Sequence, residues 1–398
     1  LSQAAPGDLR LGVDALRALR NSTGLGNHSR GVLRGLRAAA PELPLTLYSP
    51  RPPIAAHASL PAELGAPLRL PVGAWTTGPL ASLWRTFRLG RAAARDGITL
   101  YHGLSHEIPR DIPGTGIPTV VTFHDLIYHR HPELFSRADR ASYAWRYRAS
   151  AERATAIVSV SAATRDDLIA CYGVAPDRIA VIPPAVDPRF AIATSNEARA
   201  AVRTRHGLPA EYLLSLGTLE PRKNQALAIE AMGRLGPEVP SLVLVGRDGG
   251  SLAALRELAS RRGVTDRVHF LTAVPDADLP AIVQGATLFL YPSWAEGFGM
   301  PIVEALLAGV PVIASDVACL REAGGGESRY VPHEDPERLA DEITSLLGDE
   351  GSRDRLRAVG RAHAARFDGV TLAHRLLAVY DAVISGRPLP ADLSHQAG

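Results

Sequence analysis

The stretch ATLFLYPSWAEGFGMPIVEALLAGVPVIAS, residues 286–315, constrains the fold more than any other part of the chain. Residues 286–291 are apolar and β-prone, as a fully buried strand requires. A loop from Pro292 to Gly299 follows. Pro301 suits the first position of a helix, Gly309 suits the position just past its end, and residues 310–314 return as a strand. Glu296 and Glu304 flank the helix start. Were the interval between them wholly helical, they would stand about 12 Å apart along the axis. With Glu296 in the loop, the chain can fold back and bring both carboxylates to one cleft. Phe298, Gly299 and Met300 sit just ahead of the helix N-terminus, where unpaired N–H groups suit oxygen-rich ligands. Gly297 and Gly299 admit a ligand close to the backbone. An ordinary βαβ unit with two solvated glutamates is the plainer alternative.

The same alternation of strand and helix runs through the chain twice, which predicts two doubly wound parallel sheets. In the first half, strands are expected over 9–15, 45–48, 98–101, 118–123, 156–160 and 178–182. Helices are expected over 28–40, 80–95, 137–153 and 162–168, the last preceded by Ser161, and residues 50–79, rich in Pro, Ala and Gly, read as irregular. Gly24, Gly26 and Asn27 lie in a loop between strand and helix, an arrangement that presents backbone amides to a phosphate. The spacing is not the dinucleotide fingerprint. His124 stands at a strand's C-terminal end, the edge where open α/β sheets bind ligands, although a lone histidine is more often simply packed. Asp125 is expected to cap the next turn. In helix 80–95, Trp84, Phe87 and Leu80 or Leu83 share one side; a covering helix is the first reading and a membrane-surface helix the second. Tyr143, Trp145 and Tyr147 read first as core and second as acceptor contacts.

Pro183 and Pro184 mark the break between domains. Beyond it, strands are expected over 212–216, 242–245 and 267–271, and residues 336–386 read as helical. Between the strand at 212–216 and a helix reaching residue 235, Gly217, Thr218, Arg222 and Lys223 form a junction. Two cations there suit a departing diphosphate. Asp276 and Asp278 look like a metal-binding D-x-D pair, but an Asp ahead of LPAIVQ is expected to cap a helix, and no metal site is expected.

At 398 residues the chain exceeds one usual core. Its 46% hydrophobic and 21% charged content are those of a globular protein. No apolar run reaches the roughly 18 residues of a membrane span. The first residues lack the pattern of an export signal, and Cys171 and Cys319 make neither a disulfide framework nor a metal motif, so a cytoplasmic setting is expected. The net charge of +2 divides into about +7 over residues 1–190 and about −5 beyond. That field draws acidic partners to the first half, including anionic lipid headgroups, which makes peripheral membrane contact an expectation. No nucleic-acid recognition motif accompanies it. Lys223 is the single lysine among 43 basic residues. A site where only a compact ammonium fits would resist replacement by arginine.

Glu296-Gly297-Phe298-Gly299 with Pro301-Ile302-Val303-Glu304-Ala305, the Glu220-Pro221-Arg222-Lys223 segment, Gly24-Leu25-Gly26-Asn27 and Phe123-His124-Asp125-Leu126 together resemble the retaining glycosyltransferases of family 4. The resemblance spans nearly the whole chain and is strongest over 212–330. It implies an α/β GT-B fold, with two Rossmann-like doubly wound parallel-sheet domains facing across a cleft. Residues 1–185 would bind the acceptor and 186–368 the nucleotide-sugar donor, while 369–398 would form a helix crossing back to the first domain, plus a tail. It also implies roles. Glu296 and the backbone at Phe298, Gly299 and Met300 would hold the donor sugar, and Glu304 the ribose. Arg222 and Lys223, beside Gly217 and Thr218, would clamp the diphosphate, and the segment containing Val274 would meet the base. His124 would contact the sugar, and the loop of Gly24, Gly26 and Asn27 would close over the diphosphate. Some members have Arg directly after the glycine where this chain has Thr218, which leaves that charge to Arg222.

The activity so implied is retaining transfer of a hexose from a nucleotide-diphosphate sugar to an acceptor hydroxyl, with no metal cofactor. The motifs look most like bacterial mannosyltransferases of surface polysaccharide synthesis. That implies GDP-mannose as donor and a saccharide or lipid-linked saccharide as acceptor. UDP-glucose and UDP-N-acetylglucosamine are the alternative donors. A non-catalytic partner subunit would have lost Glu296 or Lys223, and a periplasmic sugar-binding protein would lack the paired cations. A GT-B epimerase or phosphorylase would differ in cofactor or acceptor.

Overall fold

The structure, a computed structural model, describes residues 8–76, 78–326 and 328–390. The chain divides into two compact units. One runs to Ala185 and takes in the chain from Phe367 onward; the other is Val186–Arg366.

Each unit is built on one parallel sheet. In the first, β1 (Leu11–Asp14), β2 (Leu45–Tyr48), β3 (Leu68–Arg69), β4 (Leu100–Gly103), β5 (Thr119–Phe123), β6 (Ala156–Ser159) and β7 (Ile179–Val181) lie in the order β3-β2-β1-β4-β5-β6-β7. In the second, β8 (Tyr212–Leu216), β9 (Ser241–Val245), β10 (Val268–Leu271), β11 (Leu288–Tyr291), β12 (Val312–Ser315) and β13 (Arg329–Val331) lie in the order β10-β9-β8-β11-β12-β13. Strands β1, β5, β6, β11 and β12 are buried at every residue, because helices cover both faces of a parallel sheet. Leu11 pairs with Leu45 on one side and Leu100 on the other, and Leu213 with Leu288 in the second sheet. Strand order reverses once in each sheet, between β1 and β4 and between β8 and β11. The crevice beyond the strand C-termini at such a reversal is where open α/β sheets bind ligands.

Several local expectations are corrected. Residues 50–79 hold a one-turn helix, Leu60–Glu63, and the edge strand β3, elements too short and too proline-broken to show a period. The expected helix over 80–95 is two, Gly78–Phe87 and Leu89–Arg95, parted by Arg88 at φ −133°. Its inward side is also different. Ala81 and Trp84 pack inward, while Leu80, Leu83 and Phe87 are 40%, 43% and 43% exposed. The helix expected to reach residue 235 ends at Met232. Residues 1–7, where the reading against an export signal begins, and the tail at 391–398 lie outside the described residues. Among the described residues no helix is long and apolar enough to cross a membrane.

The helix Gly369–Ile384 packs on Gly24–Ala39 within the first unit, and Leu372, Leu376 and Tyr380 share a core with Leu33 and Leu36. The approach is so close that a Cβ on Gly35 would stand 2.2 Å from the Gly369 carbonyl oxygen. Gly35→Ala is therefore expected to destabilise the first unit by about 1–3 kcal/mol, the usual cost of overpacking, read from urea unfolding. An unchanged midpoint would contradict the contact.

Candidate active site

At the β8–β11 reversal, two loops leave neighbouring strand ends. β8 runs through Gly217 and Thr218 to a single turn, Pro221–Lys223, which Asn224 closes in the left-handed conformation at φ 54°. β11 runs through Pro292–Gly299 to the helix Met300–Leu307. Backbone carbonyls tie the loops together. The Trp294 N–H donates to Arg222 (3.1 Å), its indole N–H to Pro221 (3.2 Å), and the Asn224 amide to Pro292 (3.2 Å) and His333 (2.8 Å).

The side chains these loops carry converge on Glu296, which is 11% exposed. Its Oε1 accepts from Lys223, the Tyr291 hydroxyl (2.9 Å) and the Ser293 hydroxyl (2.7 Å), and its Oε2 from Arg222 (3.0 Å). Burial alone would raise this carboxyl's pKa. Lys223 and then Arg222 overcome that and hold it down to about 2, so Glu296 is ionised at neutral pH. Burial draws the Lys223 amine below its ordinary value, with Glu296 opposing. Burial also pushes the Tyr291 hydroxyl up, which keeps it a donor. Lys223 gives one N–H to Glu296 and another to Tyr291 (2.8 Å), and an ammonium has three. Tyr291, Ser293 and Asn224 carry no motif of their own, so their part in the cluster was not legible from sequence; a tyrosine closing a buried strand looks like core.

Glu304 has a different environment. It is half-buried, and its carboxylate shares none of the partners of Glu296. Burial first, then Asp187, push its pKa up to about 7, with Arg189 opposing and Asp276 adding to the rise. Gly299 starts the helix at φ 122°, a conformation suited to glycine, and a Cβ there would stand 2.9 Å from Leu320 Cδ2. Phe298 is buried and Met300 half-buried. Thr218 accepts from Gln225 through its carbonyl (3.0 Å), and Val274, half-buried, follows β10 at the same edge of the sheet. The expected cap at Asp278 is absent. Its carboxylate instead meets Arg205 (2.7 Å) and His206 (2.8 Å), while Asp276 pairs with Arg189 (2.8 Å). Charged partners outcompete a weak local cap.

In the first unit the helix starts at Gly24, not residue 28, so Gly24, Gly26 and Asn27 occupy its first turn. A Cβ on Gly26 would stand 1.7 Å from the Asn21 carbonyl oxygen. The buried Arg30 binds that same carbonyl (2.8 Å), the carbonyl of Ala18 (2.9 Å) and the side chain of Asn27. Arg30 thus fixes the turn, and its spacing from the glycines was the one available signal. His124 is buried after β5, with Nε2 3.0 Å from the Leu104 carbonyl and the His28 ring edge-on at 4.6 Å. Burial lowers its pKa to about 4, so the ring is neutral. Asp125 accepts from the Ile127 N–H (3.1 Å) in the turn ahead of the helix Ile127–Arg130, whose cap position is Leu126. Tyr143 and Tyr147 pack on the core, whereas Trp145 is 52% exposed beneath Arg110.

The raised Glu304 value gives a stability test. Its carboxyl holds its proton more tightly in the folded chain, so ionisation costs stability progressively as pH rises from about 4.5 to 7. Glu304→Gln is expected to raise the melting temperature at pH 8 by about 2–4 °C and to leave it unchanged at pH 4.5. Equal effects at both pH values would count against this environment.

The chain resembles known proteins in sequence and in fold. The family model Glycosyltransferase Family 4 matches residues 22–190, and the model Glycosyl transferases group 1 matches residues 199–363. The chain is 31% identical to O-antigen chain mannosyltransferase B of Escherichia coli, over 67% of this chain and 70% of that protein. It is 32% identical to D-inositol 3-phosphate glycosyltransferase 1 of Catenulispora acidiphila, over 88% and 86%. Anabaena HepE, crystallised with UDP and glucose, superposes with a TM-score of 0.72 at 21% identity, covering 94% of this chain and 99% of that one. WaaG, a glycosyltransferase involved in lipopolysaccharide biosynthesis, gives 0.69 at 19%, covering 94% and 100%. The two structures speak for the fold and the two sequence relatives for the family: two Rossmann-like parallel sheets of the GT-B type, in a chain that belongs to the family 4 glycosyltransferases.

Proposed function

We propose that the chain transfers mannose from GDP-mannose to a saccharide or lipid-linked saccharide hydroxyl, with retention of configuration and without a metal cofactor. The observation that carries this reading is the convergence of Lys223, Arg222 and an ionised Glu296 at the strand-order reversal of the second sheet. Breaking a glycosyl–phosphate bond leaves negative charge on the diphosphate, and fixed cations in a water-poor site stabilise that charge most where it develops. Lys223 and Arg222 take this role, supported by the backbone N–H groups at Phe298, Gly299 and Met300 and by the turn at Gly217 and Thr218. Glu296, ionised and oriented by four donors, accepts from the sugar hydroxyls. Glu304 accepts from the ribose, and the loop at Val274 meets the base. His124 contacts the sugar, and the helix start at Gly24, Gly26 and Asn27 serves the diphosphate and acceptor. With no side chain assigned as a covalent nucleophile, the leaving phosphate takes the acceptor proton.

Mannose is supported by the E. coli mannosyltransferase relative. A UDP-sugar donor is the second reading, favoured by the UDP and glucose bound in Anabaena HepE. The D-inositol 3-phosphate glycosyltransferase relative widens the range of acceptors to phosphorylated ones. A cytoplasmic location with peripheral membrane contact is part of the same reading, supported by exposed Leu80, Leu83 and Phe87 beside exposed Arg88 and Arg91.

Transfer is tested by incubating the protein with a panel of nucleotide sugars and measuring turnover and thermal protection. Lys223→Ala and Glu296→Ala are each expected to lose at least about 100-fold in turnover, the scale of one electrostatic contact made in the transition state. Near-normal turnover in either variant would remove that residue from its role.

A further inference from the structure

The strand-order reversal of the first sheet, between β1 and β4, carries a charged pocket of its own. Asp14 closes β1 and Glu107 follows β4, so the floor of the pocket starts at that reversal, while Arg153, at the end of the helix that leads into β6, lies toward the opposite edge of the sheet. It is lined by these two carboxylates and by Arg85, Arg110, Arg146 and Arg153.

The floor of the pocket is electrically complete. Arg85 donates to Asp14 (2.6 Å) and Glu107 (3.1 Å), Arg146 donates to Glu107 (3.0 Å), and the second Asp14 oxygen accepts from the Leu16 N–H (3.0 Å). The side chains of Asp14, Arg85 and Glu107 are 8%, 15% and 13% exposed. The rim is not complete. Arg110 lies over the Trp145 ring, with Cζ 3.4 Å from its centroid, and donates to the Trp145 carbonyl (3.0 Å), but pairs with no carboxylate among the described residues. Arg153 is exposed and has no hydrogen-bond or ion-pair partner among the described residues. It lies two helical turns beyond Arg146 on the same face of the helix Arg137–Arg153. Four guanidinia against two carboxylates leave a formal excess of +2, concentrated where solvent enters.

We propose that this pocket is an anion site for a phosphate or diphosphate ester, and that the acceptor carries that group. Two guanidinia with no carboxylate partner among the described residues repel each other on one rim until an anion lies between them, and their planar forks match its oxygens. Arg110 is held in place by Trp145 beforehand, so little side-chain freedom is lost on binding. The role in the acceptor rests on the glycosyl-transfer reading above; anion binding itself does not.

The test is calorimetric titration of inorganic pyrophosphate into the full chain, with GDP and then UDP added first to fill the Lys223 site. Arg153→Ala is expected to weaken pyrophosphate binding about 10-fold, the scale of one hydrogen bond to a charged group, and Arg110→Ala with Arg153→Ala to abolish it. Nucleoside diphosphate binding should be unchanged in both. Lys223→Ala should show the reverse, losing nucleoside diphosphate and keeping pyrophosphate. Failure of GDP and UDP to bind would count against the transfer reading, and the pyrophosphate comparison would still decide the site. Geranyl diphosphate binding more tightly than pyrophosphate would assign a lipid-linked ester, and equal binding a soluble one; both support the site. Arg153→Glu, at an exposed position, should melt with the wild-type chain and lose binding outright. Equal pyrophosphate affinity in the wild type and the double variant would overturn the proposal.

Discussion

A carboxylate sealed into the second sheet's reversal is tolerable only because one ammonium, one guanidinium and two hydroxyls meet it. Glu296 could not remain ionised there otherwise, since burial opposes its charge. Removing one partner of a buried pair leaves an uncompensated charge and costs about 3–5 kcal/mol, so the cluster stands or falls together. The surrounding bonds serve that requirement. Carbonyls of Pro221, Arg222 and Pro292 receive donors from the facing loop, and the left-handed Asn224 ends the turn so that Lys223 points inward. The strands then need only bring two loop starts side by side, which the adjacency of β8 and β11 does.

The two glutamates of the signature are electrostatic opposites. Glu296 is held far below the ordinary carboxylate range by cations, and Glu304 far above it by burial and neighbouring acids. One fold thus keeps one carboxylate permanently charged and leaves the other with unspent acceptor capacity. Sites that keep a carboxylate in such surroundings give up stability for what the group can bind. The same logic extends to the first unit, where a satisfied ion network underlies two guanidinia that have no carboxylate partner among the described residues.

Much of the sheet framework was legible in the sequence because parallel strands buried on both faces read as unbroken apolar runs, as at Leu288–Tyr291 and Thr119–Phe123. Lys223, Arg222 and Glu296 were legible because motifs and the solitary lysine singled them out. What was not legible depended on neighbours distant in sequence. Gly24 and Gly26 read as loop residues, yet they begin a helix; at Gly26 the Asn21 carbonyl leaves no room for a side chain, and Arg30 binds that carbonyl. Asp278 read as a cap, yet Arg205 and His206, contributed by another helix, take its carboxylate. Trp84 was expected to share one side with Phe87 and Leu80 or Leu83, but Ala81 shares it instead; only the packed neighbours select the face.

The most direct test of the central claim is a crystal structure of the protein with GDP bound. The account predicts diphosphate oxygens within hydrogen-bond distance of Lys223 Nζ and the Arg222 guanidinium, and ribose hydroxyls on Glu304. A nucleotide bound away from residues 222–223 and 304, with the Lys223–Glu296 pair untouched, would contradict it.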